Sequence, residues 1–444
     1  MKEVTPTTYN TAISSRTQTP TLQRGIHKWD LVLMIINSII GAGIFGLPSK
    51  IFALTGVYSI LAFFVCAAVV LLFILCFAEV GSRFQSTGGP YTYTLEAFGK
   101  FPAFLVGWLL LLSRIFNYAT LINLFVTYLA FFVPVASSSL VRAAIMVSLT
   151  CFIGYANHIG IKNTTRLSNI LTVSKLVPLA LFVLVGLFSI NPGFFAQTQT
   201  PPAFSSFSNA VLLLVFAFGG FESVMVNTGE IRNPNKTIPF GLLTATLVVA
   251  VFYILIQIVC IGTLPNLSKS EKPLAEAAAG FIGNTGGILI SVGALVSILG
   301  TLHVLILSGS RLPFAFSQEG QFPLKFSYVD PKRLTPTFSI LLVVILSSFV
   351  SIAWSFLTAL TVAVIIRVAV YFSVCASLLR LRKKERQTEF YKLPFGNVIA
   401  ILGMAFSIWL LSASKLVELR NTAIFLSIGI AIYFLQRWSS LKRN

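Results

Sequence analysis

The stretch Ile39-Ile40-Gly41-Ala42-Gly43-Ile44-Phe45-Gly46-Leu47-Pro48 decides how this chain is read. It lies inside a run from 31 to 49 that holds no Asp, Glu, Lys or Arg, which places it in a membrane. Each glycine there loses about 1 kcal/mol of helix propensity against alanine. Clustered, the glycines permit the helix to break, and an open backbone at membrane depth is tolerated only where it lines a cavity. A second stretch of the same kind follows much later, Phe216-Ala217-Phe218-Gly219-Gly220-Phe221-Glu222-Ser223.

Composition agrees with a membrane chain. Of 444 residues, 56% are hydrophobic and only 10% charged, with mean hydropathy +0.88, whereas a soluble chain is about a quarter charged. A water-soluble globular protein is excluded. Charge-free runs, split at Asn191-Pro192-Gly193, at Pro201-Pro202 and near Trp354, give twelve helices of the length a bilayer needs. They fall at 30 to 53, 57 to 80, 102 to 133, 141 to 160, 167 to 190, 205 to 228, 238 to 263, 285 to 310, 337 to 354, 356 to 379, 396 to 414 and 420 to 437. Strand alternation is absent, so a β-barrel is not expected.

The net charge of +19 would suggest a nucleic-acid partner in a soluble protein. Here it reads as anchoring. With the amino terminus in the cytoplasm, the outer loops hold only Lys50, Arg142, Lys269, Lys272, Lys415 and Arg420. The spans hold only Arg114, Lys175 and Arg367, and every other Lys and Arg falls inside, where such residues concentrate. Both termini are therefore expected in the cytoplasm of a multi-pass cell-membrane protein. The first residues are polar and lack the apolar core of a cleaved signal peptide. Cys66, Cys76, Cys151, Cys260 and Cys375 have spacings that suit neither zinc nor a disulfide framework. No cofactor, metal or nucleic-acid partner is expected.

The two glycine breaks lie five spans apart. Because five is odd, a five-helix unit beginning at span 6 runs opposite to the one beginning at span 1, and paired breaks in an inverted repeat mark a transporter's central site. The expected organisation is a cytosolic tail 1–29, a first repeat 30–190, an inverted second repeat 205–379, a basic cytoplasmic loop 380–395, two added helices 396–437 and a tail 438–444. An unwound helix offers amide groups to a carboxylate and carbonyls to an ammonium. An amino acid supplies both. The amides of Ala42, Gly43 and Ile44, beside Gly41, are assigned to the carboxylate, and the carbonyls of Ile39, Ile40, Phe216, Ala217 and Gly219 to the amine. The competing reading of these glycines is close helix packing alone.

IIGAGIFGLP in span 1, FAFGGFES and GEIRNPNKTIP in and after span 6, TVSKLVPLALF in span 5 and SGSRLPFAFSQEGQFP after span 8 resemble the amino acid/polyamine/organocation (APC) superfamily of amino acid permeases. The resemblance covers spans 1 to 10 in order. It implies that Gly41, Ala42, Gly43, Ile44, Phe216, Ala217, Phe218 and Gly219 form the unwound substrate-binding segments, with Phe216 as an aromatic gate. It also implies that Lys175 stands where related carriers bind sodium, against the unwound part of span 1, and that Glu222 takes part in proton-dependent gating.

Lys175 lies about 12 Å into span 5 by the helical rise. A lysine at that depth either snorkels or is buried, and burial disfavours its charged form and so lets it exchange a proton. Glu222 is the one carboxylate well inside a span, which marks either a proton relay or a hydrogen-bonded tie. Arg114 and Arg367 are expected to face the interior and bind carbonyls or Glu222. His303 reads as a satisfied core residue or a proton carrier.

The expected activity is secondary transport of an amino acid through alternating access, by proton symport, with an exchanger or a polyamine or cationic amino acid carrier as the alternative. A membrane enzyme would need converging nucleophiles, bases or metal ligands, and a channel would need a repeated filter or charged rings. Neither pattern is present, nor is a GxxxxGK[ST] loop for ATP. The apolar rings of Phe216, Phe218 and Phe221 favour a neutral substrate.

Overall fold

The apolar runs become helices throughout the computed structural model, which describes residues 26–41, 43–84, 88–159, 164–197, 200–225, 231–384 and 390–441. Ala42, most of the tail 1–29, part of the basic loop 380–395 and the last residues of the tail 438–444 lie outside the described residues. In chain order the helices are α1 (Lys28–Ile39), α2 (Gly43–Thr55), α3 (Ser59–Arg83), α4 (Pro90–Phe98), α5 (Lys100–Leu129), α6 (Ser139–Ile159), α7 (Thr164–Leu187) and α8 (Phe204–Phe218). There follow α9 (Phe221–Val224), α10 (Pro234–Thr263), α11 (Pro273–Ile282), α12 (Asn284–Gln318), α13 (Thr337–Ala353), α14 (Phe356–Lys384), α15 (Gly396–Ser412) and α16 (Leu416–Leu441).

By length and composition, eight described helical segments can cross a membrane, and four shorter ones are also apolar. Their positions follow the charge-free runs. Both expected breaks are present, between α1 and α2 and between α8 and α9. Two short helices were not expected, α4 and α11. Each begins with proline at its first position, where the missing N–H costs nothing. Each runs through one glycine into a long helix, at Gly99 (φ 89°, ψ −172°) and Gly283 (φ 81°, ψ −172°).

The most apolar window of α5 is buried throughout, so the helix is enclosed on every side and forms the axis of the bundle against α12, α13 and α14. At one end the Arg142 guanidinium of α6 donates to the Asn123 carbonyl (2.9 Å) and side-chain Oδ1 (3.0 Å). Asn123 in turn donates to the Ser351 and Trp354 carbonyls (3.2 Å each), fastening α5 to α13. At the other end Glu79 accepts from Arg83, from Arg382 Nε (2.8 Å) and Nη2, and from Leu393 N (2.9 Å), which ties α3 to α14 and to the segment before α15. Four donors' worth of compensation around one carboxylate explains how Glu79 is fully buried.

Little of α16 is fully buried, only 6% of its most apolar stretch. It touches the bundle where Trp108 Nε1 donates to the Phe425 carbonyl (2.9 Å) and the indole rests on Gly429, whose added Cβ would meet the ring at 2.4 Å. Large apolar side chains such as Leu61, Phe64, Leu247, Phe349 and Ile408 also face outward. For a chain in lipid this is the ordinary surface.

Candidate site at two broken helices

The two breaks touch one another at two levels. α1 ends at Ile39, and Ile40 leaves helical geometry at φ −71°, ψ 86°. α8 ends at Phe218, Gly219 is extended, and Gly220 takes φ 124°. Ser38 Oγ donates to the Gly220 carbonyl at 2.7 Å. A Cβ on Gly220 would stand 2.2 Å from the Ser38 carbonyl oxygen, so glycine is needed here for both its dihedral and its closeness. One level away, a Cβ on Gly43 would stand 2.8 Å from the Ala217 Cα and 3.2 Å from a Phe216 ring carbon.

Broken helices leave carbonyls without intrahelical donors, and several of these are served by side chains from other helices. Lys175 Nζ of α7 donates to the carbonyls of Ile40 (2.9 Å) and Asn37 (3.0 Å). The Tyr253 hydroxyl of α10 lies 3.2 Å from both the Ile39 and the Ala217 carbonyls, so its one proton joins the two breaks. Arg367 Nη1 of α14 donates to the Phe216 carbonyl at 3.2 Å. The Ile39 carbonyl also accepts from Gly41 N (2.8 Å), and the Phe216 carbonyl from Gly219 N (3.3 Å). At the start of α2, Gly43 and Ile44 open a helical turn whose amides have no intrahelical acceptor.

The charged side chains meet just beneath. Arg367 Nε lies 3.2 Å from Glu222 Oε1 as an ion pair, without the alignment of a hydrogen bond. Glu222 Oε2 accepts from Gly220 N (2.8 Å) and from the Tyr371 hydroxyl (3.1 Å). Arg367 Nη2 reaches Asn117 Oδ1 at 3.3 Å, and Asn117 donates to Ser113 Oγ at 3.1 Å. Gly219 makes room for this: a Cβ there would lie 2.0 Å from Arg367 Nη1. The guanidinium sits 5.7 Å from the Phe216 ring centre, a cation–π distance.

The structure thus brings Ile39, Ile40, Gly41, Gly43, Ile44, Phe216, Ala217, Gly219, Lys175 and Glu222 to one place, while Ala42 is outside the described residues. Phe218 turns away: it is fully buried and packs edge-on against Tyr253 at 5.2 Å. Phe221 is also fully buried, edge-on to Phe77 (5.1 Å) and tilted against Tyr371 (5.4 Å). His303 is at the α6–α12 contact, with Asn157 Nδ2 3.1 Å from its Nδ1. Sequence reading missed Tyr253, Tyr371, Asn117 and Ser38. Tyr253 and Tyr371 carried a usable signal, because tyrosine belongs at the membrane surface and these two stand deep inside spans.

The amino acid permease family model matches residues 26–433 of the chain. The chain belongs to the amino acid permease family. This permease is 26% identical to the branched-chain amino acid permease BcaP of Bacillus subtilis (strain 168), over 95% of each chain. It is also 26% identical to the methylthioribose transporter of that organism, again over 95% of each. With the serine/threonine exchanger SteT, also from B. subtilis, it shares 27% identity over 90% of this chain and 92% of the relative. It is a multi-pass membrane transporter of the APC superfamily and not an enzyme.

Proposed function

We propose that this permease moves an amino acid across the cell membrane by alternating access, coupled to protons, with the substrate's charged ends held at the two breaks. Amides at Ala42, Gly43 and Ile44 take the α-carboxylate. The carbonyls of Ile39, Ile40, Phe216, Ala217 and Gly219 take the amine, sharing oxygens with Lys175, Tyr253 and Arg367. Phe216 closes over the site, and Phe218 backs it through Tyr253.

The observation that carries this reading is the pair of hydrogen bonds from Lys175 Nζ to Ile40 and Asn37. The amine is 3% exposed and holds the end of α1 at the break through carbonyls alone. Its proton and the position of α1 are therefore linked, which is what coupling requires. Glu222 takes part through its hold on Gly220, Arg367 and Tyr371, since protonation would loosen all three contacts together.

The proposed topology is twelve crossings with both termini in the cytoplasm and residues 30–190 and 205–379 as inverted five-helix repeats. Two correspondences support it. The breaks fall in the first helix of each unit, and the short-helix, glycine, long-helix arrangement at Gly99 recurs at Gly283 with nearly the same dihedrals, five spans on. Exchange is the second reading, favoured by the likeness to an exchanger. Labelled amino acid uptake into proteoliposomes separates the two: symport accumulates substrate under an inward proton gradient, whereas exchange needs preloaded substrate. Failure of every amino acid under both conditions would overturn the proposal.

A further inference from the structure

Two guanidiniums and one carboxylate share the middle of the bundle. Glu222 is already engaged by Gly220, Tyr371 and Arg367, and Arg367 by Glu222, Phe216 and Asn117. Arg114 is left over. It is 5% exposed, stands one turn before Tyr118 on the central helix α5, and runs its side-chain stem along Gly309 of α12. The charged groups acting on it are Glu222 of α9, which attracts it, and Arg367 of α14, which repels it. Among the described residues its guanidinium has no hydrogen-bond or ion-pair partner.

An uncompensated cation so deep in a membrane is costly and is kept where it serves a pathway. The protein's own titrations supply no anion to pair with it. Protonating Glu222 or Lys175 adds to the positive excess. The remedy is a negative charge that arrives with the cargo, and the planar fork of arginine fits a carboxylate in bidentate fashion. Nor do the aromatic rings argue for an apolar side chain, because Phe218 and Phe221 pack away from the site and Phe216 carries the Arg367 guanidinium beside its ring.

We propose that the transported amino acid has an anionic side chain, whose carboxylate docks on Arg114 next to the Arg367–Glu222 pair. This rests on the amino acid transport reading and adds the substrate class to it.

The test is competition against labelled substrate in proteoliposomes of the full-length protein, using L-glutamate, L-aspartate, their amides and L-leucine. Wild type is expected to prefer each acid to its amide by roughly 10-fold or more, the advantage of a charge-assisted pair over a neutral one. Arg114→Gln is expected to lose that preference and Arg114→Lys to keep part of it, both checked for monodispersity. Amides equal to acids in wild type would overturn the proposal whatever the variants do, as would an acid preference that survives Arg114→Gln. Chloride-dependent uptake of leucine without acid preference would also overturn it, by giving the charge to a free anion. If amides or leucine are transported and acids do not compete, only this inference fails. If no amino acid competes at all, the transport reading fails with it.

Discussion

Gly43 stands so close to Ala217 that a β-carbon added to the glycine would lie 2.8 Å from the alanine Cα. The obstacle is backbone, which cannot rotate aside, so the contact between α2 and α8 depends on the missing side chain. Gly43→Val should force the two breaks apart and favour other backbone angles besides. Substrate affinity is expected to fall by at least about tenfold, roughly 1.4 kcal/mol, in equilibrium binding to protein that still inserts in the membrane. Unchanged affinity would mean that the substrate carboxylate docks elsewhere.

Gly220 offers a stability test with an internal control. Its φ of 124° and its approach to the Ser38 carbonyl both exclude a side chain. Gly220→Ala should destabilise by about 1–3 kcal/mol from dihedral strain alone. Gly280 in α11 has open space where its Cβ would go, so Gly280→Ala should be neutral or stabilising by up to about 1 kcal/mol. Denaturant unfolding in detergent measures both, and equal effects would contradict the stated backbone contacts.

The Arg367–Glu222 pair should behave as a unit. Removing one partner leaves a buried charge alone, so Glu222→Gln or Arg367→Met should each cost about 3–5 kcal/mol. The double variant should cost less than the sum, by roughly 0.5–3 kcal/mol of coupling. Strict additivity in a thermal or denaturant double-mutant cycle would show that the two do not interact.

Phe216 and Phe218 should separate function from packing. Phe218 is fully buried against Tyr253, so Phe218→Ala should destabilise by about 3–5 kcal/mol. Phe216→Ala should instead lower turnover more than initial binding, with Phe216→Tyr or Phe216→Trp retaining transport. Stopped-flow binding beside uptake rates distinguishes these outcomes. A crippled, well-folded Phe218→Ala with normal Phe216→Ala would shift the gate by two residues.

Much of this arrangement was legible in the residues. The breaks were visible because Gly41, Gly43, Gly219 and Gly220 interrupt charge-free runs, a pattern that helix propensity alone flags. Lys175 and Glu222 stood out as charges where charges are expensive. The orientation of Phe218 and Phe221 was not legible, since a broken helix loses the periodicity that tells which way a side chain points. The short helices α4 and α11 were hidden for a related reason. At nine and ten residues they are too short to register as spans, and Pro90, Gly99, Pro273 and Gly283 read as turn residues. The carbonyl caps from Tyr253 and Arg367 depend on contacts across 36 and 151 positions of sequence, which no local pattern contains.

Lys175 supplies the most direct measurement. Its amine donates to the Ile40 and Asn37 carbonyls, and the proposed coupling runs through the gain and loss of its proton. Proteoliposomes holding Lys175→Ala should show no stimulation of amino acid uptake by an inward proton gradient, while substrate exchange with preloaded vesicles continues. Gradient-driven accumulation at the wild-type level by that variant would contradict proton coupling through Lys175.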